Sequence, residues 1–356
     1  MECNRMTVNV QPTYKVEQKV YNIGYTPTDE ELTYSGNIDY LFDGRNEWIL
    51  RQFENRISYK NITSAEYAFH NVDIDTIPDF NVSMPGYATV FLSYMFQQST
   101  IKQLPRITFD NEGCSVQMPY FCNAATYLRE VPDDYFQGWI LGAWGTSVFT
   151  YCNSLRHIPS SFLDMLQTYG EKNTYYGDMQ DFNNDYTLDE IINYPVALKG
   201  ALTSNKMNYI CFDCYRLKDF VFRLDDNGEP YTAQWKNQTF RLEPIVGYSL
   251  DKNTILNYNS GITADKEVSD DATYQALKDN PDWFTLDKSY SRYNHDSALR
   301  TINSLPDCSA YVASGGTNTI VFEAKAGSKT DGGACGALTA EEIAIASAKG
   351  WTVSFV

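Results

Sequence analysis

The chain has 356 residues, with 28 Lys and Arg against 45 Asp and Glu, a net charge of −17. This acidic balance, without any Lys/Arg run, excludes a nucleic-acid surface, which needs cations to displace phosphate counterions, and it disfavours anionic membranes. Apolar residues make up 43% of the chain, enough for a large core, yet no apolar run approaches the roughly 18 residues of a membrane span.

The opening MECNRMTVNVQPTYK has no apolar h-region and does not read as a secretory signal. The eight cysteines are too sparse for a disulfide scaffold and are expected to be reduced. Residues 1–64 read as an N-terminal cap or docking segment without repeats. Its stretch from Tyr14 to Tyr40 is extended and rich in Tyr and Thr. Tyr14, Tyr21, Tyr25, Tyr34 and Tyr40 are its interface candidates, because a segment so poor in aliphatics builds no core of its own. We read it as docking on a partner chain, so that removing residues 1–40 leaves the body folded and blocks assembly. NEWILRQFENR (46–56) is expected to be helical, with Trp48, Ile49, Phe53 and Ile57 at helical spacing.

Residues 65–307 carry a repeat. HNVDIDTIP, QQSTIKQLP, AATYLREVP and YCNSLRHIP end at Pro78, Pro105, Pro132 and Pro159, each 27 residues after the last. One apolar column holds Ile74, Ile101, Leu128 and Leu155, and a second holds Ile77, Leu104, Val131 and Ile158. An upstream column holds Ala68, Met95, Cys122 and Phe149, and a downstream one Val82, Phe109, Phe136 and Leu163. Two further copies, DCYRLKDFV (213–221) and HDSALRTIN (295–303), place Leu217 with Phe220 and Leu299 with Ile302 in the two main columns. Insertions interrupt the series at about 165–206, with a helix expected at TLDEIINY (187–194), and at about 225–292, with a turn at DDNG and a helix near DDATYQALKD (270–279).

From residue 308 to 356, glycines punctuate the chain. A strand is expected at NTIVF (318–322). TAEE (339–342) matches a capping box with Thr339 at the N-cap and Glu342 at N3, and Gly350 sits where a helix ends before a last strand, WTVSF. Together these features predict an α/β solenoid, leucine-rich-repeat-like, with one short strand per repeat and a strand-helix-strand C-terminal cap.

Residues that carry chemistry are few. His70, His157 and His295 are the three histidines, and no Gly-x-Ser-x-Gly, Walker loop or His-Glu-x-x-His occurs. Cys211 and Cys214 have the spacing of half a zinc ribbon or a redox pair. No second pair accompanies them, and both fall in repeat columns, so we read them and Cys152 as buried thiols. Asp178, Asp181, Asn183, Asp185 and Asp189 resemble a calcium loop, but Tyr186 and Ile192 stand where an EF-hand needs Gly and Glu. A solvated acidic loop is the simpler reading. Neither a catalytic residue nor a metal or cofactor site is predicted.

The phrase F-x-x-C-x-x-L-x-x-I-P at Phe149, Cys152, Leu155, Ile158 and Pro159 resembles BspA-like leucine-rich repeats. The run SALRTINSLPDCSAYVASGGTNTIVF (297–322), followed by LTAEEIAIASAKGWTVSF (338–355), is similar to the tail end of such proteins in Bacteroides and in their phages, crAss-like phages included. The resemblance implies a non-enzymatic virion protein, tail or tail-fibre associated and assembled in the host cytoplasm. It would bind other virion proteins or a host-surface protein or glycan as part of an oligomeric assembly. The alternative is a bacterial cell-surface or secreted adhesin of the same repeat class.

Overall fold

The computed structural model describes residues 6–10, 32–44, 50, 56–83, 88–110, 113–143, 145–173, 182, 188–196, 198–199, 201–207, 210–211, 214, 217–242, 295–322 and 338–355. Its centre is a parallel sheet that starts with β1 (Met6–Val10), β2 (Leu32–Asn37) and β3 (Ile57–Ser64). Beyond β3 it divides. One branch continues through β4 (Phe80–Val82) to β6 (Ile107–Phe109). The other continues through β5 (Thr89–Phe91) and β7 (Ser115–Gln117) to β8 (Ile140–Leu141).

The division begins in β3 itself. Ile57, Tyr59, Ile62 and Ser64 are buried, so the alternation breaks across exposed Lys60 and Asn61. Asn61 has a φ of 54°, and the register shifts between Tyr59 and Ile62. An extra residue in one strand bends it and increases its twist. Around this bend Tyr59 and Ile62 pair with Phe80 and Val82 of β4, while the last residue, Ser64, pairs with Phe91 of β5. The sheet therefore curves into a half-barrel around one continuous apolar interior.

Backbone pairing does not stop at the strand ends. In the turns after β2, β3, β5 and β7, N–H groups donate to carbonyls one period later: Ile38 to Ser64, Ala65 to Phe91 and Leu92 to Gln117 at 2.8–2.9 Å. Turns that pair this way leave few backbone groups unsatisfied without any helix between strands. Phe42, Phe69, Phe96 and Phe121 fill the space beneath them as fully buried rings.

Helix α1 (Ser160–Lys172) follows Pro159 and covers the end of the half-barrel with Phe162, Leu163, Met165, Leu166 and Tyr169. Buried Gln167 accepts from the Val196 N–H at 2.7 Å. Next come the parallel pair β9 (Glu190–Tyr194) and β10 (Asp219–Phe222), then a three-stranded parallel sheet of β11 (Thr239–Leu242), β12 (Asn318–Phe322) and β13 (Trp351–Phe355). Helix α2 (His295–Ser304) docks on β10. Arg300 Nε donates to Asp219 at 2.8 Å, Thr301 Oγ1 donates to the Phe220 carbonyl, and the Phe222 N–H donates to Ser304 Oγ at 3.0 Å. The one-turn α3 (Ser309–Val312) and α4 (Ala340–Ala348) complete this end. The Thr339–Glu342 capping box closes α4, and Gly350 (φ 82°) turns the chain into β13.

The architecture corrects the expected leucine-rich-repeat-like solenoid. It is an α/β arrangement of a half-barrel parallel sheet with smaller parallel sheets and few helices. The 27-residue period does not deliver one strand: residues 80–91 give β4 and β5, and residues 107–117 give β6 and β7, in two branches. The downstream column is a strand residue at Val82 and Phe109, a turn residue at Phe136 and a helical one at Leu163. The supposed copy at 295–303 is helix α2, because Leu299 and Ile302, three apart, suit a helix face as well as a ladder. TLDEIINY is not a helix; its Glu190–Tyr194 is β9. The boundary at residue 64 falls at the end of β3, and within the N-terminal segment β2 lies between β1 and β3 in the sheet. The expected helix at 270–279 lies outside the described residues, as does that at 46–56 apart from buried Leu50 and half-buried Arg56. Among the described residues, no helix is long and apolar enough to cross a membrane.

Candidate functional site: a tyrosine face on the half-barrel

The turns that follow β2, β3, β5 and β7 put four tyrosines in one column. Tyr40, Tyr67, Tyr94 and Tyr120 all adopt left-handed backbone conformations, with φ between 55° and 60°. A non-glycine residue there carries a conformational penalty and persists only where its surroundings impose it. The pairing imposes it here: the Tyr40, Tyr67, Tyr94 and Tyr120 N–H groups donate to the carbonyls of Glu66, Ser93, Pro119 and Thr146 at 2.9–3.1 Å.

The four rings stack face to face. Centroids lie 4.8 Å apart for Tyr40–Tyr67, 4.4 Å for Tyr67–Tyr94 and 4.8 Å for Tyr94–Tyr120, with planes within 7° of parallel. Tyr40 is 49% exposed at one end, while the inner rings are half-buried. Because the faces close on one another, the outward surface consists of ring edges and phenol groups. Burial, then neighbouring Tyr94 and Tyr40, push the Tyr67 hydroxyl up to about 12, so it stays protonated. At the next position, the column ends in buried Ser147.

Beside the stack runs a second left-handed column of Gly44, Asn71, Gln98, Ala124 and Tyr151, with Tyr151 43% exposed. Polar pairs link successive turns beside and between the columns. His70 Nδ1 lies 2.8 Å from Asp43 Oδ1, Gln97 Nε2 donates to Asn123 Oδ1 at 3.1 Å, and Ser64 Oγ donates to Asp39. Side chains held this way lose little rotamer freedom on binding.

Of the residues singled out from the sequence, Tyr40 belongs to this face. Tyr34 does not: it is buried in β2, stacked on Tyr59 at 6.0 Å. Tyr14, Tyr21 and Tyr25 lie outside the described residues. Ile74, Ile77, Ile101, Leu104, Leu128, Val131, Leu155, Ile158, Leu217, Phe220 and Ile302 are buried, and Leu299 is half-buried. Tyr67, Tyr94 and Tyr120 went unrecognised in the sequence, although Tyr40, Tyr67 and Tyr94 share the 27-residue spacing.

Cys114, Cys122, Cys152, Cys211, Cys214 and Cys308 are buried and lie outside any disulfide. The Cys152 and Cys214 thiols donate to the Cys122 and Phe182 carbonyls at 3.1 and 3.0 Å. Burial pushes the Cys122 thiol well up and Cys308 to about 12. Among the described residues, no group of three His, Cys, Asp or Glu could hold a metal ion. Of the acidic 178–189 cluster, Asp189 is described and pairs with Arg156 at 2.7 Å. His295 lies 3.1 Å from Glu342, joining α2 to α4, and His157 is exposed beside β9.

No protein-family model matches the chain, and neither a curated protein nor a solved structure matches it with significance.

Proposed function

We propose that this chain is a non-enzymatic virion protein of the tail or tail fibres, and that its tyrosine face binds other virion proteins. The observation that carries the binding role is the four-ring stack, held in register by the backbone ladder and open to solvent along its edges. Pre-ordered tyrosines give a partner apolar edge and phenol hydrogen bonds together, at small entropic cost. The virion assignment rests on the similarity of residues 297–322 and 338–355 to the ends of phage-associated proteins. The net charge of −17 suits a soluble component that avoids the packaged nucleic acid.

Quantitative mass spectrometry of purified particles of the phage that encodes the chain tests this reading. Peptides of this chain should appear at a copy number comparable to the tail proteins. Its absence from particles, with abundant protein in the infected-cell lysate, overturns the assignment.

A further inference from the structure

Residues around β6, Val116 of β7 and the turn at 132–139 line an open groove of about 650 Å³. This lies within the roughly 300–1,000 Å³ usual for small-molecule sites. Three aromatic residues line it: Phe109 of β6, Tyr135 and Trp139. None stacks in parallel on another. Phe109 and Trp139 meet at 79° with centroids 5.1 Å apart, and Tyr135 tilts 43° from Trp139 at 5.7 Å. Trp139 is buried beneath the other two, whereas Phe109 and Tyr135 are half-buried and supply the apolar surface that the groove presents.

Asp79, Arg106 and Asp134 surround these rings, each with an exposed side chain. Asp79 Oδ1 accepts from the Arg106 N–H at 2.8 Å, which fixes that carboxylate at the rim. The Tyr135 hydroxyl donates to the Pro105 carbonyl at 2.7 Å, which fixes the ring and leaves the oxygen able only to accept. The groove thus combines flat apolar surface with charged donors and acceptors for hydroxyl groups. Two carboxylates against one guanidinium, on a chain of net charge −17, repel anionic ligands.

We infer that this groove binds a neutral pyranose residue of a glycan, its C–H face on the half-buried Phe109 and Tyr135 rings, backed by Trp139, and its hydroxyls on Asp79, Arg106 and Asp134. A pyranose matches both halves of the lining, since one side of the ring is C–H rich and its rim carries adjacent hydroxyls. A phosphate, uronic acid or sialic acid matches the rings no better and meets the carboxylates. The inference is independent of the tyrosine face, so its failure leaves the virion assignment standing.

Saturation-transfer NMR and calorimetry on the full chain test it, with lactose, maltotriose, cellotriose and chitotriose as neutral probes and 3′-sialyllactose as the anionic counterpart of lactose. At least one neutral probe should bind. The exposed-site variants Asp134→Ala and Arg106→Ala should each weaken it at least fivefold with unchanged thermal midpoints, and 3′-sialyllactose should bind more weakly than lactose. The inference is overturned if no neutral probe binds, if neither substitution affects the one that does, or if sialyllactose binds more tightly than lactose.

Discussion

Tyr94 is the ring whose replacement reads the stack most directly. It is sandwiched by Tyr67 at 4.4 Å and Tyr120 at 4.8 Å, whereas Tyr40, at the end, has one stacked neighbour. An aromatic pair contributes about 0.5–1.5 kcal/mol beyond area burial, so Tyr94→Ala, which loses two, should cost about 1–3 kcal/mol, and Tyr40→Ala about half of that. Alanine keeps the unfavourable φ of 60° at position 94. Glycine there escapes a penalty of roughly 1–2 kcal/mol against an entropic cost of roughly 0.5–1 kcal/mol. Tyr94→Gly should therefore equal or exceed Tyr94→Ala in stability by up to ~1.5 kcal/mol, the reverse of the usual order. Urea denaturation followed by circular dichroism measures all three. Equal losses for Tyr40→Ala and Tyr94→Ala, or Tyr94→Gly clearly less stable than Tyr94→Ala, would refute the stack as an energetic unit and the strain at its backbone.

Leu155 is fully buried, and Leu155→Ala should cost about 2–5 kcal/mol in the same urea assay; a loss within the error of the measurement contradicts its place in the core. The six buried cysteines should resist Ellman's reagent in the folded protein at pH 8 and react once urea unfolds it, and fast native labelling of Cys122 or Cys308 would contradict their burial. Hydrogen bonds to Glu342 and then Asp296 raise His295 above its ordinary 6.5, while the Thr339 N–H and then His295 lower Glu342 below its ordinary 4.5. The imidazole contribution is complete below 6.5 and fades as pH rises through its raised value. The carboxylate contribution is complete above 4.5 and fades as pH falls through its lowered value. The α2–α4 junction is thus tightest between those limits. His295→Ala should narrow the gap between melting temperatures at pH 6 and pH 9; an unchanged gap would show that the pair contributes nothing.

The period was legible in the sequence because chain segments that pair one period apart bury the same columns, in loops as well as in strands. Ile101, Leu128 and Leu155 are all fully buried although none lies in a strand. What the period encloses was not legible. A buried column reads the same whether its residue sits in a strand, a turn or a helix, as Phe109, Phe136 and Leu163 show. Three-residue strands such as β4 and β5 are too short to display alternation. Leu299 and Ile302 copied the column spacing while obeying the i, i+3 rule of α2. The tyrosine face was within reach, since three of its members share the 27-residue spacing already found. It was missed because the apolar columns drew the alignment and the tyrosines lie at the turn just before them. The groove was out of reach: Asp79, Phe109 and Trp139 lie far apart along the chain and meet only in the folded sheet and its turns.

The central claim is that the tyrosine face is a contact surface in the assembled particle, and hydroxyl-radical footprinting with mass spectrometry tests it most directly. The isolated chain and intact virions are oxidised under the same dose, and modification is compared at Tyr40, Tyr67, Tyr94, Tyr120 and Tyr151. The account predicts that these positions are protected several-fold in virions, whereas exposed Ile192, outside the half-barrel, reacts alike in both. Equal modification of all five tyrosines in free and particle-bound chain would contradict it.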